Sequence, residues 1–491
     1  MQATPIHLTP KSRPLRLRML ASACLLALAG CAQIPELGKN LEAKPVEQLG
    51  TASSFAAPAA AWPRDAWWKA YGDPQLDQLI DEALRDSPDL AAAEARVRKA
   101  QGMAQAAGAP LLPQVTGSAS VTQQKQSYKY LTPQEATPQG WHSYGVATLN
   151  FSWELDFWGK NHAALAAAIS DREAIRAEAA QARLMLTTSM AAAYAELQHL
   201  YAVRDTAARA VAVRQKTVEL FRHRLDAGLE TLGSVRQVEA REAAAEADLL
   251  LVDERLTLQR NAIAALMGAG PDRGLAIKRP YAAAGSFGLP QHLALDLLGR
   301  RPDIAAARLR TEAAARRIDQ SKAGFYPSVN LIAYIGSLAL GVNNLARAGS
   351  SFGSVGPAVS LPIFNTEALQ GTLRGAHAEY DAAVSLYNGT LTNALHEVAD
   401  AATSRKALEG ELAATRRFVA AAADAHRITQ DHYRGQLSSY LEVLNAEDNL
   451  LSAQRALADM ESRALTLDIA MVRALGGGYE LTQPQQLTEA N

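Results

Sequence analysis

Two short stretches of the chain alternate strictly between apolar or small and more polar positions. In 115–122, Val115, Gly117, Ala119 and Val121 alternate with Thr116, Ser118, Ser120 and Thr122. In 145–155, Gly145, Ala147, Leu149, Phe151, Trp153 and Leu155 alternate with Val146, Thr148, Asn150, Ser152 and Glu154. Two similar stretches come much later, one through Val329, Leu331, Ala333 and Ile335, the other through Val355, Val359, Leu361 and Ile363. Period-two alternation predicts strands with one apolar face and one more polar face. Before each strand pair a proline opens a predicted helix, Pro88 to about Ala109 and Pro302 to about Phe325. Proline suits a helix start because its missing N–H would lack a partner there anyway. After each pair comes a very long helical stretch, 161–224 and 367–434. Past Gly228 and Gly435 each is followed by another, of about 40 residues at 1.5 Å rise. Sixty helical residues reach roughly 90 Å, which suits a coiled-coil tube or stalk better than a compact domain.

The matching order in the two halves reflects an internal repeat. Ser87-Pro88-Asp89-Leu90-Ala91-Ala92-Ala93 recurs as Arg301-Pro302-Asp303-Ile304-Ala305-Ala306-Ala307, and at the same offset Pro113 falls on Pro327. Further on, Glu239 matches Glu447, Ala245 matches Ala453 and Gly268 matches Gly476. The expected organisation is a signal peptide over 1–30, a tether over 31–61, a first repeat over 62–270, a second over 271–478 and a tail over 479–491. Residues 32–61 are rich in Pro, Ala and Ser and read as an extended tether.

Composition narrows the function. The 491 residues carry a net charge of −1, which argues against nucleic acid as a partner. Apolar residues make up 48%, with much alanine, as closely packed long helices require. After the leader no run of eighteen apolar residues follows, so no transmembrane helix is expected. The leader has basic Lys11, Arg13, Arg16 and Arg18, then a short apolar stretch from Met19 to Leu28. Leu28-Ala29-Gly30-Cys31 resembles the lipobox of bacterial lipoproteins: small residues admit the chain to the peptidase and the thiol accepts the lipid. Cys24 would halve the apolar stretch and is rejected. Cleavage leaves Cys31 as the sole cysteine, so no disulfide forms within the mature chain. No cofactor is implied beyond a covalent lipid on Cys31. Ala32 in place of Asp favours sorting to the outer membrane, by resemblance to Gram-negative lipoproteins.

Four strands cannot close a barrel in lipid, because an open edge leaves backbone groups unsatisfied. Eight strands from two chains give an interior filled by side chains, whereas twelve from three chains leave a lumen. The chain resembles the TolC-like outer-membrane efflux proteins, in particular the lipidated subclass serving resistance-nodulation-division pumps. The resemblance covers essentially all of 31–478. It is carried by Trp67-Trp68 with Asp73-Pro74-Gln75-Leu76, the paired Pro-Asp-[Leu/Ile]-Ala-Ala-Ala segments, Leu155-Asp156-Phe157-Trp158-Gly159, Phe325-Tyr326-Pro327 and Tyr440-Leu441-Glu442-Val443-Leu444-Asn445-Ala446. It implies a mainly helical protein with a membrane β-barrel. Long helical hairpins and four strands per chain complete a 12-helix tunnel and a 12-stranded barrel as a homotrimer. It implies a passive duct, not an enzyme, exporting small amphipathic compounds handed on by a periplasmic adaptor and an inner-membrane pump. A polypeptide secretion duct and a poreless lipid-anchored scaffold are the alternatives.

The same resemblance points to a periplasmic gate beyond the hairpin ends at Gly228 and Gly435. Its matching positions are Leu441, Glu442, Asn445 and Asp448, with Ser234 and Val235 in the first half. Family members commonly carry Asp where this chain has Asn445, and some carry Arg where it has Asp448. Gly228 and Gly435 are both expected to supply a positive φ at a helix end. His396-Glu397-Val398-Ala399-Asp400 falls one histidine short of a zinc-protease motif, and no metal site is expected there. Asn388-Gly389-Thr390 is a glycosylation triplet by spelling only, and Gly349, Gly353 and Gly356, wrongly spaced for a dinucleotide loop, read as barrel residues beside a strand.

Overall fold

Asp73 accepts a hydrogen bond from the Gln75 amide at 2.9 Å, and Pro74 occupies the first turn behind it. This capped start opens helix α1 (Pro74–Asp86). In the computed structural model the described residues are 34–51, 53–55, 60–129, 133–281, 283, 287–290 and 293–480. Cys31 and the whole 1–30 leader lie outside them. Pro88 starts α2 (Pro88–Gly108), followed by β1 (Gln114–Gln124), β2 (His142–Leu155), α3 (Lys160–Asp226), α4 (Leu232–Leu266) and the short α5 (Pro271–Leu275). The order then recurs as α6 (Leu293–Arg300), α7 (Pro302–Ala323), β3 (Ser328–Leu340), β4 (Ser351–Ser360), α8 (Thr366–Arg434) and α9 (Tyr440–Ala474). α1 and α6 were not among the expected helices. β4 stops at Ser360, so Leu361 and Ile363 fall outside it. Pro362, which has no amide to donate, ends the pairing there.

The strands form one antiparallel sheet in the order β1-β2-β3-β4, so pairing of β2 with β3 joins the two repeats. Register places Val115 opposite Phe151, Leu149 opposite Ile335, Trp153 opposite Leu331 and Ala333 opposite Val355. The alternating apolar positions expected from the sequence thus share one face, which ends on Gln123, Ser143, Ser337 and Ser351. β1 and β4 each keep an unpaired edge.

The chain divides into two compact units, and each draws on both repeats. The first holds 99–172 and 309–385, with the sheet and a small core of Ile318, Phe325, Leu373 and Ala376. The second holds 43–98, 173–308 and the chain from 386 onward. Its main core gathers Trp67, Tyr71, Leu79, Ile80, Tyr194, Ile263 and Met267.

Within the second unit the repeat appears as two equivalent close approaches. α4 ends at Gly268, φ +73°, and a Cβ there would lie 2.7 Å from Pro88 Cδ and 2.8 Å from the Asp86 carbonyl. α9 ends at Gly476, φ +84°, against the carbonyl of Arg300. Both ends carry the same pair of hydrogen bonds, Gly268 N to Ala265 O with Ala269 N to Ala264 O, and Gly476 N to Arg473 O with Gly477 N to Val472 O. Such a turn satisfies the last carbonyls of a helix and needs a left-handed residue.

The described part of the segment expected as a tether forms one short helical turn, Val46–Leu49, and is held at several points. In the first unit His377 Nδ1 meets Asn40 Oδ1 at 2.6 Å and the Leu41 amide donates to Asp381 at 2.9 Å. In the second unit the Lys44 amide donates to Asn388 Oδ1 at 2.9 Å. Asn388 thus belongs to a helix interior, where it binds backbone.

Candidate gate at the helix-hairpin ends

The two long hairpins turn at 227–231 and 435–439, and both turns lie in the second unit. In the first, Gly228 N donates to Leu225 O at 2.9 Å and Leu229 N to Arg224 O at 2.7 Å, with Gly228 at φ +70°. In the second, Gln436 N donates to Tyr433 O and Leu437 N to His432 O, at 3.0 and 2.9 Å. The left-handed residue is therefore Gln436, φ +60°, and not Gly435, whose amide still donates helically to Asp431 O. The expectation for Gly435 is corrected: hydrogen-bond register, not the nearest glycine, fixes which residue turns.

Thr231 caps α4 by accepting from the Ser234 amide at 3.1 Å. Ser439, its counterpart, makes no such bond; its hydroxyl lies 3.4 Å from Glu442 Oε1. Below the turns, Val218 and Phe221 of α3, Val235 and Val238 of α4 and Leu444 of α9 form a buried cluster. The Tyr440 ring packs between Phe221 and Tyr433 at 4.7 and 4.9 Å, and its hydroxyl lies 2.7 Å from Thr217 Oγ1. Burial raises the Tyr440 phenol above its ordinary range.

These contacts sort the expected gate residues. Val235 is buried among residues of its own chain, so it packs the hairpin rather than facing a passage. Ser234 is half-buried and occupied with Thr231. Leu441, Glu442 and Asn445 are all exposed, with Leu441 and Asn445 one turn apart on α9. Asp448 is engaged on two sides, by Arg214 of α3 at 2.5 Å and Arg241 of α4 at 3.4 Å. Beside it Glu447 is buried, 4.0 Å from Arg214, and desolvation holds its carboxyl above the usual range.

Thr217, Arg214 and Arg241 were not singled out in the sequence, and Tyr440 and Glu447 were noted there only as part of the resemblance and of the repeat. At the expected near-motif, Glu397 binds Arg301 at 2.8 Å and His396 lies 3.2 Å from Asp400. Among the described residues no three metal-ligating side chains converge.

The arrangement can tie or release one helix. Contacts from Thr217, Arg214 and Arg241 hold α9 against α3 and α4, while Leu441, Glu442 and Asn445 lie exposed on α9. No catalytic grouping accompanies them.

The family model described as outer membrane efflux protein matches the chain twice, over 79–269 and 293–477, once for each repeat. The chain is 37% identical over 370 residues to the fusaric acid resistance protein FusA of Burkholderia cepacia, covering 74% of this chain and 69% of that one. It is 30% identical over 477 residues to the multidrug resistance outer membrane protein MdtP of Escherichia coli strain K12, covering 96% and 97%. Among solved structures, the outer membrane protein VceC from Vibrio cholerae matches with a TM-score of 0.81 at 48% identity, covering 85% of this chain and 100% of that one. The outer-membrane channel OprN matches with a TM-score of 0.80 at 27% identity, covering 91% and 99%. The chain belongs to the outer membrane efflux protein family.

Proposed function

We propose that three copies of this chain close one outer-membrane duct. Through it a periplasmic adaptor and an inner-membrane resistance-nodulation-division pump export small amphipathic compounds. One observation carries the reading: a four-stranded sheet with a largely apolar face and two unpaired edges. In hydrocarbon those edges must pair, and joining β1 of one copy to β4 of the next is the closure that leaves no free edge. Aromatic side chains mark both ends of the apolar band, as at lipid–water boundaries. At one end Trp158 stacks on Tyr326 at 4.6 Å and donates to Pro327 O at 2.8 Å; at the other Trp141 is exposed. Acylation of Cys31 adds a second anchor in the same membrane.

At the hairpin ends, threefold repetition would set Leu441, Glu442 and Asn445 around an axis as a constriction. Leu441 would exclude water there, and Glu442 and Asn445 would favour cations. The intrachain ties of α9 would hold the closed state until the adaptor docks, which shifts the equilibrium by its differential affinity.

Native mass spectrometry of the detergent-extracted protein tests assembly and anchor together. The expected mass is three protomers, each beginning at an acylated Cys31. A monodisperse monomer that still conducts ions would overturn the trimer. A mature N-terminus elsewhere would overturn the lipid site alone.

A further inference from the structure

The second face of the sheet is not uniformly polar. On β1 it carries Gln114, Thr116, Ser118, Ser120, Thr122 and Gln124. On β3 the same face carries Ser328 and Asn330 and then Ile332, Tyr334, Gly336, Leu338 and Leu340. Since Val329, Leu331, Ala333, Ile335 and Ala339 lie on the other face, with Ser337 among them, β3 from Leu331 to Ile335 is apolar on both sides. A strand with lipid on one side and water on the other needs only one apolar face. Packing within the chain does not account for the second: Ile332, Tyr334, Leu338 and Leu340 are each more than a third exposed. Register widens this stripe, with Val146 opposite Leu338 on β2 and Phe352 opposite Gly336 on β4. The rings of Tyr334 and Phe352 lie 5.5 Å apart, tilted by 55°. From Ile332 to Leu340 the stripe runs about 27 Å along the strand.

Polar groups border it. Ser118 Oγ lies 2.7 Å from Thr148 Oγ1, and Asn150, opposite Tyr334, donates to that same hydroxyl at 3.2 Å. Charge is nearly absent from this face. Its one carboxylate, Glu154, is neutralised by Lys160 at 2.6 Å. A wall that offers stacking rings and aliphatic surface beside neutral hydroxyl and amide groups fits an aromatic amphipathic molecule, and fits it whatever the sign of its charge.

We infer that β3 forms an apolar rail on the lumenal wall, which holds aromatic amphipathic molecules in transit by stacking on Tyr334 and Phe352. The inference rests on the duct reading, in which this face lines the lumen. The rail makes the barrel itself a specificity element that favours ring-bearing cargo over equally small polar solutes.

The test uses the full-length assembled protein in phosphatidylcholine nanodiscs, with ethidium as the probe. Fluorescence polarisation should report binding above that of empty discs. Combining Tyr334→Ser with Leu338→Thr should weaken it about threefold or more, while Ser118→Ala on β1 leaves it unchanged. Leu338→Thr alone introduces a β-branched, strand-favouring side chain and should weaken binding in the same direction if the double variant fails to assemble. Wild-type binding no stronger than empty discs overturns the rail, as does equal binding by wild type and the rail variants. The face assignment is read separately, with a membrane-impermeant maleimide on Thr148→Cys and Ile335→Cys. Labelling of the first and not the second is expected. The reverse pattern overturns the lumenal assignment itself, whereas expected labelling with unchanged ethidium binding overturns only the rail.

Discussion

Gln436 holds a conformation that Gly228 adopts freely in the equivalent turn. A side chain in the left-handed region costs about 1 kcal/mol, which glycine avoids. Gln436→Gly is therefore expected to stabilise the second turn by about that amount, and Gly228→Ala to weaken the first by a similar amount. Native-state hydrogen exchange of the two turns measures both, as slower and faster exchange respectively. The repeat register held the signal for this, since the spacing that sets Glu239 on Glu447 also sets Gly228 on Gln436. A glycine one residue away masked it.

Glu447 is a second residue whose setting departs from its chemistry. Its carboxyl is raised by desolvation, so folding favours its protonated form. A raised carboxyl contributes stability that is fully present below its unfolded pKa and is lost as pH rises through the folded value. Glu447→Gln should therefore hold α9 against α3 more firmly at neutral pH, with the difference vanishing in acid. Urea titrations of both proteins across pH 4 to 8 (about the range where a carboxylate of this kind titrates) measure it. A constant difference over the whole range would contradict the role given to burial.

At the scale of elements, strands and long helices were legible because their periods are unambiguous. Trp153, Leu149 and Phe151 alternate too regularly for a helix, and no compact fold needs helices of 67 and 69 residues. α1 and α6 escaped because their apolar stripes are short and abut the prolines that open the next helices. Cross-repeat pairing of β2 with β3 was also illegible, since alternation fixes which face a residue takes but not which strand lies beside it. The elements are locked to one another at the helix ends. Gly268→Ala forces a Cβ onto Pro88 and a strained φ together, an expected loss of about 2 kcal/mol or more. A lowered urea midpoint with unchanged slope would register it, and an unchanged midpoint would contradict the close approach.

At the scale of the whole molecule, the family was legible through the conjunction of repeat, amphipathic strands and long hairpins. Of the expected gate residues, Leu441, Glu442 and Asn445 are exposed on α9, whereas Val235 packs inside the hairpin. The ties to Thr217, Arg214 and Arg241 come from helices more than two hundred residues away in sequence from Tyr440 and Asp448. No local pattern encodes such contacts. What the sheet does impose is closure, because neither β1 nor β4 can leave its edge open in lipid.

Single-channel recording in planar bilayers tests that closure most directly. Each inserted particle should show one current level, from one shared lumen, and Leu441→Ala or Asn445→Ala should raise that level. Three independent levels per particle, or no current from intact trimers of either variant, would contradict a single duct closed by three chains.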